Sequence, residues 1–414
     1  MPANAMAIED VYAVLNNIHE QVTGQAVLGG VNTANYVSVA NTVLQQGTDI
    51  VYNAMMNTIA KTVFSTRPYS RQFGGLIVDN LKWGAVVRKV QFGDTDAVAD
   101  SAFSGLPADG QAVDHYIINR GDVLETRYYG SAEYQDVMTV FRDQLITAFN
   151  GPEQLGSFIA AKTNEVNNKW VQWTEDLARG LVMNAISAKT YYDTYLNVYP
   201  HGPHCLHLLT MYNTDTGASP ALTLQDIMTE QYAKPFWEYV RAKIRSLQRE
   251  FTNRTVRYQT EITGHKIVRH TPYVNQKVYL LAPYMDLMET STLTEAFHND
   301  PLKYADYEGV SYWQNPANPD IVEQSDFTLL QTNGRYNTYS TLENTDPTDP
   351  DDVYGSGYIL GMVFDEDFMN INIKDTIIQN TPMNARGLYY NSWLTAHAQY
   401  AVDFSEKCCV LLLD

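Results

Sequence analysis

The densest group of potential ligands in this 414-residue chain is His201-Gly202-Pro203-His204-Cys205-Leu206-His207. Imidazole nitrogens and a thiolate sulfur are what a structural zinc ion takes. Such sites draw paired ligands from two separated segments, at spacings such as C-x2-C and H-x3-H. No partner pair stands elsewhere in the sequence, and there is no HExxH helix. The segment therefore reads as a loop between a helix and a sheet, and no metal ligand is assigned at His201, His204, Cys205 or His207. A second group, Asp346, Asp349, Asp351 and Asp352, could attract a divalent cation. A calcium loop needs alternating oxygen ligands, a central Gly and a closing Glu, and Pro347 and Pro350 break that pattern. These acids read as solvated surface.

Two short motifs carry meaning only outside the cell. Arg120-Gly121-Asp122 spells an adhesion tripeptide, and Asn253-Arg254-Thr255 a glycosylation sequon. The N-terminus, MPANAMAIEDVYAVLNNIHEQ, has no basic segment followed by an apolar one, so it is not read as a secretory signal. Gly121 then simply marks a turn. There is no GxSxG, no Walker loop and no dinucleotide fingerprint. Nothing assembles a nucleophile, a base and an orienting group, so no catalytic residue, no cofactor-binding residue and no cofactor are expected.

The elements that position these residues are legible in outline. Residues 1–70 read as an extended arm with helical pieces. Val37, Val39, Val43, Ile50, Met55, Ile59 and Val63 form a loose helical pattern, closed before Pro68. Ala85 to Phe92 is β-rich and is answered by Tyr116 to Arg120 and by Val123 to Tyr129. The intervening loop holds five acids and no base. A gap of about 20 residues exceeds an ordinary hairpin loop, so a long hairpin reaching off the body is expected. Residues 152–189 form the best helix, opened by Pro152, with Phe158, Val166, Trp170, Trp173, Leu177 and Leu181 on one face. A second helix is expected from Leu224 to Phe251. Its basic residues Arg241, Lys243, Arg245 and Arg249 read as a solvated face pairing with acids of a neighbour. Gln276 to Pro283 is a strand running into a helix. Residues 315–355 hold eight acids, one base and four prolines and read as an exposed excursion from a sheet. Strands return at Tyr358–Phe364, Ile371–Ile373, Leu388–Phe404 and Cys408–Leu413.

Composition narrows the function classes. Hydrophobic residues make up 45% of the chain, enough for sizeable cores. Charged residues are only 18%, against a usual value of roughly 25%. Tyr occurs 29 times. Low charge with many Tyr suits surfaces buried against neighbours, because Tyr joins an apolar ring to a polar tip. A net charge of −19 excludes gripping nucleic acid over the whole surface. It permits lining a container within which DNA slides. The three Cys (Cys205, Cys408, Cys409) imply no disulfide framework and fit a reducing cytosol. Cys408 and Cys409 read as buried strand residues. No run of apolar residues reaches a membrane-spanning length.

The order arm, long two-stranded loop, long spine helix, α/β domain with an excursion, and returning strands resembles the tailed-phage major capsid fold. Within it, the chain is most similar to the phi-29 group of podophages. Asn384-Ala385-Arg386-Gly387-Leu388-Tyr389-Tyr390-Asn391 and the Trp393–Phe404 run carry the likeness. So do Val278-Tyr279-Leu280-Leu281 with Met285-Asp286-Leu287 and Leu293-Thr294-Glu295-Ala296-Phe297, and Tyr128-Tyr129-Gly130 through Val140-Phe141 and Phe149. The resemblance implies an α+β fold with an N-terminal arm (1–70), an E-loop with flanking strands (71–134) and a peripheral domain with the spine helix (135–195). An axial domain including the acidic insertion 315–355 would follow (196–357), then returning strands of both domains (358–414). Ending at Asp414, the chain is expected to lack the immunoglobulin-like C-terminal domain of some of these proteins. The resemblance also implies a non-enzymatic subunit that forms hexamers and pentamers. These would close into an icosahedral head around double-stranded DNA, with a separate scaffolding protein and a portal protein at one vertex. Assembly is expected in the host bacterial cytoplasm, with no membrane. The alternatives are an encapsulin-like compartment shell and a carbohydrate-binding or carbohydrate-active protein.

Overall fold

The computed structural model describes residues 8–27, 29–46, 50–55, 73–78, 87–92, 123–128, 131–194, 203–259, 267–292, 306–311, 313, 326–330, 336–340 and 359–413. In chain order the elements are α1 (Ile8–Thr23), α2 (Tyr36–Gln45), β1 (Ile77–Val78), β2 (Val87–Phe92), β3 (Val123–Tyr128), β4 (Ser131–Phe141), α3 (Arg142–Ala148), α4 (Pro152–Thr194), β5 (Cys205–His207), α5 (Leu208–Thr216), α6 (Glu230–Thr252), β6 (Gln276–Leu281), α7 (Ala282–Thr292), β7 (Asp306–Val310), β8 (Asp326–Leu330), β9 (Tyr336–Ser340), β10 (Ile359–Asp365), β11 (Met369–Asn380), β12 (Tyr389–Val402) and β13 (Cys408–Leu412). The class is α+β, as expected. The chain divides into two compact units, one of Met1–Trp83, Ser131–Leu177 and Asn372–Gln399, the other of Gly84–Gly130, Ala178–Ile371 and Tyr400–Asp414.

The first unit is built on a four-stranded sheet in the order β1-β11-β12-β4. β12 and β4 run antiparallel from the Tyr389/Phe141 pair to the Gln399/Ser131 pair. Period-two alternation on β12 turns Tyr390, Ser392, Leu394, Ala396 and Ala398 inward. Tyr390 and Leu394 belong to a cluster that takes in Val11, Leu15 and Ile18 of α1, spaced three and four apart so that they share one helix face. It also takes in Tyr36, Val39 and Val43 of α2, and Tyr52 and Met55 of a helical segment at 50–55. The Tyr52 ring stacks on Tyr390 at 4.4 Å, and the two hydroxyls of Tyr52 and Ser392 lie 2.8 Å apart. Of the helical pieces expected within residues 1–70, α1, α2 and the segment at 50–55 are described and are part of this core, while Ile59 and Val63 lie outside the described residues.

α4 is longer than expected, 43 residues against the 152–189 read from sequence. At about 1.5 Å per residue it spans roughly 64 Å. Pro152 is its first residue, where a missing N–H costs nothing, and Glu153 in the first turn complements the helix dipole. Leu155, Ile159, Val166 and Trp170 are its buried stripe before position 177, and Leu181, Val182, Ala185 and Ile186 continue the stripe after it.

The second unit holds a five-stranded sheet in the order β5-β13-β10-β6-β7. β10 and β13 are buried on both faces, which explains their unbroken apolar runs. Phe236, Trp237, Val240, Ile244, Leu247 and Phe251 of α6 share a cluster with Val278, Leu280, Val363, Cys409 and Leu411. Gly361 is required here: a Cβ at this position would come within 2.0 Å of the Tyr279 carbonyl oxygen. α6 begins at Glu230, later than the Leu224 read from sequence. Asp226 accepts from the backbone and hydroxyl of Thr223, and the Thr229 hydroxyl donates to the Asp226 carbonyl, which holds the chain in a short 3-10 turn instead. The helix passes through Pro235. The Gln231 carbonyl, which loses its donor there, is on the exposed side. β8 and β9 pair antiparallel within the acidic 315–355 stretch. The rest of that stretch, the strand expected at Tyr116–Arg120 and the loop between β2 and β3 lie outside the described residues.

Candidate functional site

The residues singled out for metal chemistry are put to other uses. Asp193, near the end of α4, accepts through Oδ1 from the backbone N–H groups of His204 (2.9 Å) and Cys205 (3.4 Å). Its Oδ2 lies 3.0 Å from His207 Nε2. The His204 ring faces elsewhere, with Nδ1 3.4 Å from the Lys189 ammonium. The carboxylate thus fastens the helix end to β5. Burial alone would raise the Asp193 carboxyl, but His207 and the two backbone donors outweigh it and hold it below its ordinary value. His201 lies outside the described residues, as do Asp346, Asp349, Asp351, Asp352 and Arg120-Gly121-Asp122. Among the described residues no three His, Cys, Asp or Glu side chains form a group able to hold a metal ion. Cys205, Cys408 and Cys409 are free and buried. Burial pushes Cys205 and Cys409 well above the ordinary thiol value and Cys408 up to about 12. Thiolate, the reactive form, is scarce at all three.

A different feature stands out: the β2–β3 ribbon. The two strands pair antiparallel from Val87/Tyr128 to Phe92/Val123, and among the described strands no other joins them. Alternation divides the ribbon into two faces. The outward face carries Arg88, Val90 and Phe92 on β2 and Val123, Glu125 and Arg127 on β3. Phe92 is 74% exposed, Val123 58% and Val90 53%. Phe92 and Val123 sit directly opposite each other and form an apolar cross-strand pair open to solvent. Nearer the root, Glu125 pairs with Arg127 at 2.9 Å and with Arg88 at 3.9 Å.

The inward face is polar. Lys89 Nζ lies 2.5 Å from Asp403 Oδ2 and 2.5 Å from Glu406 Oε1. Arg269 reaches Glu406 at 3.3 Å. Gln91 donates to Ser405 Oγ at 3.0 Å, and Ser405 donates to Asp403 Oδ1 through its hydroxyl (2.6 Å) and its backbone (2.9 Å). Asp403 and Glu406 are only 5% and 6% exposed. Burial alone would lower the Lys89 ammonium, but Asp403 and Glu406 outweigh it and hold Lys89 above its ordinary value. Burial would raise Asp403, yet Lys89 and Ser405 hold it below the ordinary carboxylate value. At Glu406 burial prevails over Lys89 and Arg269, so its carboxyl is raised. Burial and the nearby Asp403 likewise push the Tyr128 phenol upward.

Sequence reading found the ribbon strands but not this cluster. Val90 and Phe92, with their β propensity, mark the strand. The phase of the alternation, with Lys89 and Gln91 inward, was the available signal. Their partners more than 300 positions away left no mark that spacing could reveal.

The model of the Phi29-like phage major capsid protein family matches residues 12–412. No curated protein matches the chain. Among solved structures, the chain is similar to the capsid of Staphylococcus phage Andhra (8% identity, TM-score 0.49, 84% of this chain and 88% of that one). It is also similar to the mature capsid of bacteriophage PhiM1 (6% identity, TM-score 0.44, 84% and 88%). A third is the capsid of Cyanophage P-SCSP1u (10% identity, TM-score 0.41, 84% and 89%). All three TM-scores are below 0.5, and the family match carries the assignment.

Proposed function

The chain belongs to the Phi29-like phage major capsid protein family, and from that premise we propose that the outward face of its β2–β3 ribbon is a surface on which neighbouring copies meet as the head closes. The observation that carries this reading is the Phe92–Val123 pair, two large apolar side chains set opposite each other in water. An exposed apolar patch of this kind marks an interaction site. Repeated contacts of modest size between identical copies suffice to close a shell.

In this reading the copies form hexamers and pentamers that close into an icosahedral head around double-stranded DNA, with the tailed-phage capsid fold. Residues 1–70 serve as the N-terminal arm and 71–134 as the E-loop with its flanking strands. Residues 135–195 form the peripheral domain with the spine helix, 196–357 the axial domain with the acidic insertion 315–355, and 358–414 the returning strands of both domains. A separate scaffolding protein directs assembly in the host bacterial cytoplasm, and a portal protein occupies one vertex. The net charge of −19 supports a lining that repels phosphate and leaves packaged DNA mobile. No described helix is long and apolar enough to cross a membrane. The chain acts as a building block, not as an enzyme. The family match gives no support to the encapsulin-like or carbohydrate readings.

Phe92→Ser tests the surface. Because Phe92 is exposed, the change should alter subunit stability by no more than about 0.5 kcal/mol while abolishing closed shells in electron micrographs. Shells of normal size and yield from the variant would refute the assignment.

A further inference from the structure

The segment Asn384 to Tyr389 takes no part in the ribbon, and it forms a strained turn beside an open sheet face. In the first unit, Met138 and Val140 of β4 and Tyr390 and Leu394 of β12 face the helical cluster. The opposite side of that sheet is open among the described residues. Val137 and Phe141 of β4 are exposed there, Phe141 by 49%. Ile377 of β11 is exposed too, while its neighbour Ile378 packs against the cluster on the other side. The Phe141 and Tyr389 rings meet edge to face at 6.1 Å. Leu388, just before β12, borders this apolar patch. Its carbonyl accepts from the N–H of Arg142, the residue after Phe141, at 2.9 Å.

The turn is tied so that Leu388 is held out. Asn384 Oδ1 accepts from the backbone N–H groups of Arg386 (3.0 Å) and Gly387 (3.1 Å). The Leu388 N–H donates to the Asn384 carbonyl at 2.8 Å, and the Asn384 N–H to the Tyr389 carbonyl at 2.9 Å. Leu388 is thereby kept at φ +51°. Gly and Asn enter that left-handed region easily, and Leu does not. The side chain is 42% exposed, so the subunit's own core gains little from it. A Leu kept in a strained conformation with much of its side chain in water points to a role outside the subunit.

We propose that this face is a second contact between copies, in which Leu388 and Phe141 of one copy pack against the same two residues of another. The occupant is a second copy because the rim of the patch carries both signs of charge. Arg142 and Asp143 follow Phe141 directly, and Arg386 stands two residues before Leu388; all three are exposed. A partner of one sign would leave part of that rim unmatched. Two such faces meeting about a two-fold axis set Arg386 of each copy against Asp143 of the other, so that the pair forms twice around an apolar centre. The proposal rests on the family's shell-building role and goes beyond the ribbon reading, since none of these residues belongs to β2 or β3.

Sedimentation of the full-length Phe92→Ser subunit over a range of concentrations, with the ribbon face disabled, reads this contact. That protein should still self-associate. Leu388→Asn added to it should weaken the association at least tenfold. Asn accepts the left-handed conformation, so the urea midpoint of the subunit should hold or rise. Arg386→Asp should weaken the association likewise. Asp143→Arg in the same chain should then restore it, because the pair re-forms with its signs exchanged. A Phe92→Ser subunit that stays monomeric would overturn the contact. So would association untouched by Leu388→Asn, association lost together with a lower urea midpoint, or a charge exchange that restores nothing. If Phe92→Ser instead closes shells as the wild type does, the ribbon reading fails while the Leu388 and Arg386 variants still decide this one.

Discussion

Asp193 receives two backbone N–H groups and an imidazole on one carboxylate, and that geometry has a consequence in solution. Its carboxyl is depressed in the folded protein, so the folded state binds fewer protons than the unfolded chain as the pH falls. The stabilisation is complete at neutral pH and fades below about pH 4 as the group titrates. Denaturant midpoints measured between pH 3 and 6 should show that loss, and Asp193→Asn should be less stable at pH 6 with a flatter acid limb. The His201–His207 segment shows what sequence can say at this scale. The ligand types were visible and the missing partner pair argued against zinc, but the carboxylate they serve lies in α4 and nothing in the spacing named it. Tyrosine illustrates the opposite limit. Its abundance suggested surfaces buried between copies, yet Tyr36, Tyr52, Tyr279 and Tyr390 are within 2% of complete burial in the subunit's own cores. Composition does not separate an interface from a core, because both remove the ring from water.

α4 was legible because apolar residues three and four apart persist over many turns, a pattern that no strand can share. One position runs against it. Gly180 is exposed in the helix interior, and a Cβ there would meet nothing within 4 Å. Gly180→Ala should therefore stabilise the subunit by about 0.5–1 kcal/mol, read as a rise in the urea midpoint; a fall would mean the helix needs a weak point there. β10 and β13 were legible as short continuous apolar runs. β4 was not identified, although its alternation is regular: Met138 and Val140 point inward while Val137, Thr139 and Phe141 point outward. Its inward side also carries Asp136, held by Lys169 at 3.1 Å. That polar residue on the buried phase, and Val137 and Phe141 on the exposed one, blurred the hydrophobic signal. β2 was found for its composition, with its phase inverted in the same way. Both strands show that period two reveals a strand more readily than which face is inside.

At the scale of the whole chain, each compact unit gathers three separated stretches. Sequence order lists elements along a line and cannot express which distant stretches share a core, so the pairing of β4 with β12 had to come from the structure. What order did carry was the succession of hairpin, long helix, mixed sheet and returning strands, together with the short motifs around Arg386-Gly387-Leu388. Those motifs led to the same family as the match over residues 12–412. Low charge and an exposed apolar ribbon then describe a subunit completed by its neighbours. The most direct test of that claim is electron microscopy of the purified protein at rising concentration, alone and with a scaffolding protein. The account predicts closed particles built from five- and six-membered rings of this chain; a subunit that stays monomeric under both conditions, at concentrations where head proteins assemble, would contradict it.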